Sequence, residues 1–277
     1  MQLAKGRGVA GSVQERLEVA RKQDLSPIRS VAGGNMRDQY AGDISDMLKY
    51  SLLRALAGDD RSLGVGWYYN PEHDGKNNGL HTEYLADHGW SKLDACVWEA
   101  LQTFSNSERL ITTIEGLPIW PKATRFHRTP VPDIRSRYKW ATEMAKDFNE
   151  CELVFLDPDN GVGNAGKRHT SLEEIKLLRS PENRSLVVIK FPGRVPFDQQ
   201  VNSYHSALRE GTDAKNVLTI RTSVSVPSKS GYLVPRFQWF TLIDHDIVLA
   251  ERLFSFAQKL NEMKSCRVKA NVYPTTG

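Results

Sequence analysis

The sequence predicts an α/β fold, a mostly parallel sheet with helices on both faces, and three observations carry that prediction. Short apolar runs alternate along the chain with segments whose apolar residues recur every three or four positions, the spacing of an amphipathic helix. The apolar runs are continuous, as in "LVFL" and "LVVI", which suits strands covered on both faces. No internal repeat or low-complexity tract competes with this reading.

Residues 1–34 are polar and end in "VAGG", so we read them as an N-terminal extension joined by a flexible glycine pair to a single α/β domain over 35–277. From 43 to 57 the residues Ile44, Met47, Leu48, Leu52, Ala55 and Leu56 keep helical spacing, and Gly58 is a natural stop. "SLGVGWYYN" reads as a buried strand and "PEHDGKNNG" as a loop. A helical insertion is expected around 82–149, with helices over 82–106 and 135–149 and a strand near "RLITTIE". "CELVFLDPDNG" is a strand running into a turn, and "SLEEIKLLRS" is a helix with Ser171 as N-cap and Glu174 in capping-box position. A strand at "SLVVIKFPG", a helix through "DQQVNSYHSALREG", strands at "NVLTIRT" and "RFQWFTLID" and the helix "IVLAERLFSFAQKLNEMK" complete the chain.

The 277 residues are 40% hydrophobic, enough for a substantial core, and 37 Lys and Arg against 33 Asp and Glu lean weakly towards a polyanionic partner, RNA or DNA. Cys96, Cys151 and Cys266 show no CxxC spacing, so neither a disulfide framework nor a zinc knuckle is expected, and the compartment is expected to be reducing. No apolar run approaches the roughly 20 residues that span a bilayer, and the first residues lack the apolar stretch of a secretory signal. These features predict a cytoplasmic protein without a membrane partner; they say nothing of oligomeric state.

In a parallel sheet the ligand crevice lies beyond the carboxyl ends of the strands. That rule selects three segments. "LVFLDPDNG" delivers Asp157 to the end of a buried strand, with Pro158, Asp159 and Asn160 at the turn, where a carboxylate and an amide oxygen could accept from an amino group or meet a divalent cation. Asp157→Ala is expected to change stability by no more than about 1 kcal/mol, because a crevice carboxylate is poorly solvated. "NPEHDGKNNGLH" gathers Asn70, Glu72, His73, Asp74 and His81, of which His73, Asp74 and His81 match no helix-based metal motif. "KFPGR" brings Lys190 and Arg194, cations suited to phosphate or carboxylate. Further back, Lys122, Arg125, Arg128, Arg135, Arg137 and Lys139 interleave with Phe126, Tyr138 and Trp140, a mixture found both on solvated faces and along nucleic-acid backbones. Asp43 and Asp46 suit the first turn of the 43–57 helix as cap and dipole partner, and Lys49 and Tyr50 follow Asp46 at three and four residues.

"YAGDISDMLKYSLLRAL" resembles the segment that opens the bacterial ribosomal-RNA adenine-N6 methyltransferases, in which an Ala-Gly-Asn motif, an Asp and a Leu-Lys-His triplet begin a helix beside the cofactor. The matching residues are Ala41, Gly42, Asp43, Asp46, Leu48, Lys49 and Tyr50. "LDPDN" is similar to that family's catalytic Asp-Pro-Pro-Tyr, and both segments occur in the family's order. The resemblance implies a Rossmann-like methyltransferase fold that uses S-adenosylmethionine and methylates a nucleic-acid amino group. It implies that Asp157, Pro158, Asp159 and Asn160 form the catalytic turn and that Asp43, Asp46, Lys49, Tyr50, Asn70 and Asp74 border the cofactor. Lys190, Arg194, Arg125, Arg128 and Arg137 would then hold substrate. The chain departs from the pattern where a Gly-rich loop should follow the first strand, and where Asp159 and Asn160 replace a proline and the ring that stacks on a flipped base. The segments also resemble an uncharacterised bacterial protein family. Two other functions fit the same residues. One is a metal-dependent nuclease or phosphohydrolase in which Asp43, Asp46, Asp74, Asp157 and Asp159 ligate magnesium or manganese. The other is a catalytically inactive methyltransferase fold that binds nucleic acid or a partner.

Overall fold

The computed structural model describes residues 37–72, 81–105, 109–158, 160–164, 166–180, 184–191, 197–228 and 230–274. All belong to one compact unit, Ala32–Gly277. The extension expected over 1–34, together with His73, Asp74, Asp159 and Arg194, lies outside the described residues.

Among the described residues seven strands form one sheet: β1 (Leu63–Trp67), β2 (Arg125–His127), β3 (Leu153–Asp157), β4 (Ser185–Lys190), β5 (Val217–Pro227), β6 (Leu233–Ile243) and β7 (Val268–Pro274), in the order β2-β1-β3-β4-β6-β5-β7. The sheet is mixed, which corrects the expectation of a mostly parallel one. β1 pairs in parallel with β2 and β3, and β3 with β4, but the β4–β6, β5–β6 and β5–β7 pairs are antiparallel. The reason is chain length: a parallel return needs a crossover of a dozen or more residues, whereas residues 228–232 alone join β5 to β6 and close as a turn, Ser228 N donating to Tyr232 O at 2.7 Å.

The helices are α1 (Ile44–Ala57), α2 (Ala95–Phe104), α3 (Ile111–Glu115), α4 (Arg137–Asp147), α5 (Leu172–Arg179), α6 (Phe197–Thr212) and α7 (Ile247–Glu262). They divide between the faces as strand alternation requires. Leu153 and Phe155 of β3 join a core with α1, α2, α3 and α7, while Val154 and Leu156 join one with α4, α5 and α6. Gly64 and Gly66 of β1 serve the second core, since a Cβ on either would stand 2.8 Å from Phe148 or 2.7 Å from Met144 Sδ of the adjoining helical segment. Burial of each large aliphatic side chain in these cores contributes about 1.5–3 kcal/mol.

Two local expectations change. "RLITTIE" is helical over Ile111–Glu115, not a strand: Ile111 and Ile114 are buried at i, i+3 spacing, and the Asp38 carboxylate accepts from Ile111 N at 2.8 Å, capping the turn. Tertiary packing outweighs the β-preference of its isoleucines and threonines. The strands β2 and β7 fall where none was expected.

The chain leaves β1 for β2 on one side and returns to β3 on the other, so the connections diverge beyond the carboxyl ends of β1 and β3. This topological switch point is where an α/β sheet opens a crevice.

Candidate functional site

The candidate site is built from the first turn of α1 upward. Ala41 is buried, and Gly42 takes φ +82°, a left-handed conformation that favours glycine. A Cβ there would also lie 2.9 Å from the Phe104 ring. The turn aims Gly42 N at Asp46 Oδ2, 2.7 Å away, while Tyr84 donates to Gly42 O at 3.1 Å. Asp43 caps α1, accepting from Ser45 N at 2.9 Å, and its other oxygen accepts from His81 N at 2.9 Å. Arg236 of β6 approaches Asp43 to 3.8 Å. Burial nevertheless holds the Asp43 carboxyl above the usual range.

One turn on, Lys49 is 3% exposed, and its Nζ lies 2.9 Å from Asp46 Oδ1 and 2.9 Å from Asp157 Oδ2. Asp157 ends β3 beside Trp67 of β1 and is 5% exposed. Burial pulls the Lys49 pKa down, but Asp157 and Asp46 more than offset it, so Lys49 stays protonated. Asp157 is pushed up by burial, which outweighs the lowering by Lys49. Two carboxylates thus share one ammonium, leaving surplus negative charge buried at the switch point. Tyr50 and Trp67 flank Lys49, their ring centroids 5.4 and 5.5 Å from its Nζ. Tyr50 packs edge-on against Trp120 at 5.1 Å, and burial raises its phenol well above the ordinary value.

The structure therefore brings Asp43, Asp46, Lys49, Tyr50 and Asp157 together, with Pro158 buried at the strand exit. Asn160 N donates to Arg168 O at 2.9 Å, which ties the turn to the loop before α5. Asn70 accepts from Glu72 N at 3.1 Å and so caps its own turn. Lys190 ends β4 on the opposite face, over the rings of Tyr204 and Trp239 at 4.9 and 5.3 Å, and burial lowers its pKa.

Arg125, Arg128 and Arg137 of the basic segment each have an acidic partner, and Arg128 reaches the site through Glu115, which also accepts from the Trp67 indole. Arg137 is 3% exposed, donates to Glu174 Oε2 at 3.0 Å and to the carbonyls of Gly166 and His169, and so braces the loop before α5. Arg125 pairs with Glu150 and Arg128 with Glu115. These acids are distant in sequence, which is why spacing alone left the cations open. Of the residues of the metal-hydrolase reading, Asp74 and Asp159 lie outside the described residues, Asp43 caps a helix and Asp157 is engaged by Lys49; among the described residues no three His, Cys, Asp or Glu side chains are grouped to hold a metal ion. Trp67 was missed by the sequence reading. Its indole donates to Glu115 at 2.9 Å while its ring covers Lys49, and its only sequence signal is its place at a strand end.

No protein-family profile and no curated protein sequence matches the chain. Among solved structures, the chain is similar to a Legionella pneumophila protein of the family DUF519, with 12% identity and a TM-score of 0.47 over 85% of this chain and 98% of that one. A precorrin 8w decarboxylase of Methanobacterium thermoautotrophicum gives 9% identity and a TM-score of 0.31 over 70% and 88% of the two chains. A SAM-dependent methyltransferase of Agrobacterium tumefaciens gives 12% and 0.36 over 74% and 62%. No helix among the described residues is long and apolar enough to cross a membrane.

Proposed function

We propose that the chain is an S-adenosylmethionine-dependent, methyltransferase-like protein acting on an amino group of a nucleic acid. The observation that carries this reading is the buried Asp46–Lys49–Asp157 cluster at the topological switch point. Its formal charge is one negative unit, from two carboxylates and one ammonium. S-adenosylmethionine is a sulfonium whose amino and carboxylate groups offset each other, so its net charge is complementary to the site. The fit is therefore electrostatic: the first turn of α1, with Asp43 and Asp46, would hold the cofactor's cationic side, which supplies an electrophilic methyl when bound.

In this reading Lys49 engages Asp157 through Oδ2 and leaves Oδ1 to accept from the target amine. The carboxylate would hold the amine lone pair towards the methyl, so positioning rather than deep proton abstraction supplies the rate. Titration calorimetry of S-adenosylmethionine into the wild type and Asp157→Asn, followed by transfer of labelled methyl to total RNA and single-stranded DNA, tests it. Wild type should bind and transfer, and the variant should lose transfer. A wild type that binds no S-adenosylmethionine ends the reading.

A second reading, a catalytically inactive module that binds nucleic acid, draws support from one feature. Asp157 is 5% exposed and tied to Lys49, so a substrate amine would have to compete for it. Cofactor binding without methyl transfer to any nucleic acid would favour this reading.

A further inference from the structure

The antiparallel part of the sheet outgrows the parallel part. β6 pairs with β4 only over 239–243 but with β5 along the whole of Val217–Pro227, and β7 follows β5 from Leu218 to Val224. A three-stranded ribbon therefore projects beyond the carboxyl end of β4, the end of the sheet at which Asp157 lies, and its open face is the one that carries Lys190, opposite to Asp157. One of its faces is closed, with Val224, Val226, Val268 and Ala270 buried in the core. The other is open and carries Arg221 and Ser223 of β5, Phe237 of β6, and Lys269, Asn271 and Tyr273 of β7; Lys269 and Asn271 are exposed and the rest half-buried. The register sets Phe237, Ser223 and Lys269 in one row, and Trp239, Arg221 and Asn271 in the next, which Lys190 of β4 extends.

Charge and aromatic chemistry on this ribbon point the same way. Residues 215–243 include Lys215, Arg221, Lys229 and Arg236 and no acid, and 264–274 include Lys264, Arg267 and Lys269 and no acid. Among the described residues no carboxylate lies within ion-pairing distance of Arg221, Lys190 or Lys269, unlike Arg125, Arg128 and Arg137. The Arg221 guanidinium is clamped between Phe197 and Phe237, 4.5 and 4.2 Å from their centroids, and its Nε is buried without a hydrogen-bond partner. A guanidinium already fixed between rings loses little freedom when it binds an anion.

We propose that this open face is the platform for a single-stranded nucleic acid, with Arg221 and Lys269 meeting phosphates and Phe237 and Tyr273 offering rings to bases. Cationic grooves interleaved with aromatic rings bind single strands with little sequence preference, because every base has a stackable face. The inference rests on the nucleic-acid reading above and moves its contact surface from the paired basic segment to the ribbon.

Fluorescence anisotropy with labelled oligouridine and oligodeoxythymidine on the full chain tests it. Arg221→Gln and Lys269→Glu should each weaken binding about tenfold or more and flatten the dependence of log affinity on log salt by about 0.7 per lost phosphate contact. Lys176→Gln, an exposed cation of α5 paired with Asp213, should leave affinity unchanged. Among the described residues Lys269 has no ion-pair partner, so its variant should melt with the wild type. The proposal falls if the wild type binds neither oligomer, or if both ribbon variants bind within twofold of it. Calorimetry with S-adenosylmethionine on the same proteins keeps the two readings apart. Cofactor binding without oligomer binding overturns the platform alone, and oligomer binding without cofactor binding overturns the methyltransferase alone.

Discussion

Two lysines withdraw from solvent at the carboxyl end of the sheet, one on each face. Lys49, beneath the first turn of α1, lies 2.9 Å from Asp46 and 2.9 Å from Asp157, and these carboxylates raise its pKa against the pull of burial. Lys190, beneath α6, has the rings of Tyr204 and Trp239 for neighbours, and burial lowers its pKa. The same side chain is thus a permanent counter-ion on one face and an unneutralised cation on the other. Partnership, not burial, decides which, since desolvation opposes the charge of both. A cation already spent on carboxylates organises its site, whereas one without a carboxylate is available to an incoming anion.

The largest test of this contrast is Lys49→Met. It strips two buried carboxylates of their shared cation, and breaking a buried pair costs about 3–5 kcal/mol. Urea denaturation should show that loss. The Asp157 carboxyl, already held above its ordinary value by burial, would keep its proton in the folded state at pH values where the unfolded chain has lost it, so stability would fall as pH rises through its raised pKa. The deficit should therefore be larger at pH 8 than at pH 5. An equal deficit at both would mean that the cluster does not behave as one electrostatic unit.

Asp157→Asn comes next. Lys49 keeps Asp46, and the amide oxygen can still accept from it, so about 1–3 kcal/mol is expected, the range for a weakened buried hydrogen bond to a charged group. Sequence alone, which does not show Lys49 beside the carboxylate, leads to a change of no more than about 1 kcal/mol for Asp157→Ala. A melt indistinguishable from the wild type would show that Lys49 does not depend on Asp157.

Lys190→Met sharpens the other side. The folded-state pKa of Lys190 lies below its unfolded value of 10.5, so between the two the unfolded chain binds more protons and stability rises with pH. Lys49 acts in the opposite sense, its contribution being complete below 10.5 and lost only above it. Denaturation curves from pH 7 to pH 10.5 should rise less steeply for Lys190→Met than for the wild type. Parallel curves would place Lys190 in water.

The smallest effect is expected from Arg125→Gln. Its ion pair with Glu150 is half-exposed, and such pairs contribute about 0–1 kcal/mol. A larger loss would promote the basic segment from solvated edge to structural element.

The capping box of Ser171 and Glu174, the helix after Asp43 and the strand that ends at Asp157 were all legible in the sequence, because each is specified by residues within a few positions of one another. The acids that claim Arg125, Arg128 and Arg137 were not, because Glu150, Glu115 and Glu174 reach them only through the fold. The helix over Ile111–Glu115 was misread for a related reason: its β-branched residues favour a strand locally, and only burial of Ile111 and Ile114 reverses the preference.

By itself, then, the sequence determined the alternation of strands and helices, the apolar faces that separate two cores, and the placing of Asp157 and Lys190 at strand ends. Periodicity is a local property, and folding preserves it. Tertiary structure alone decided that the sheet is mixed, that Lys49 reaches across 108 positions to Asp157, and that Arg221 faces the open side of a ribbon without a carboxylate. Those outcomes depend on which distant groups the topology brings within a few ångströms, and Coulomb and hydrogen-bond energies act over that distance rather than along the chain.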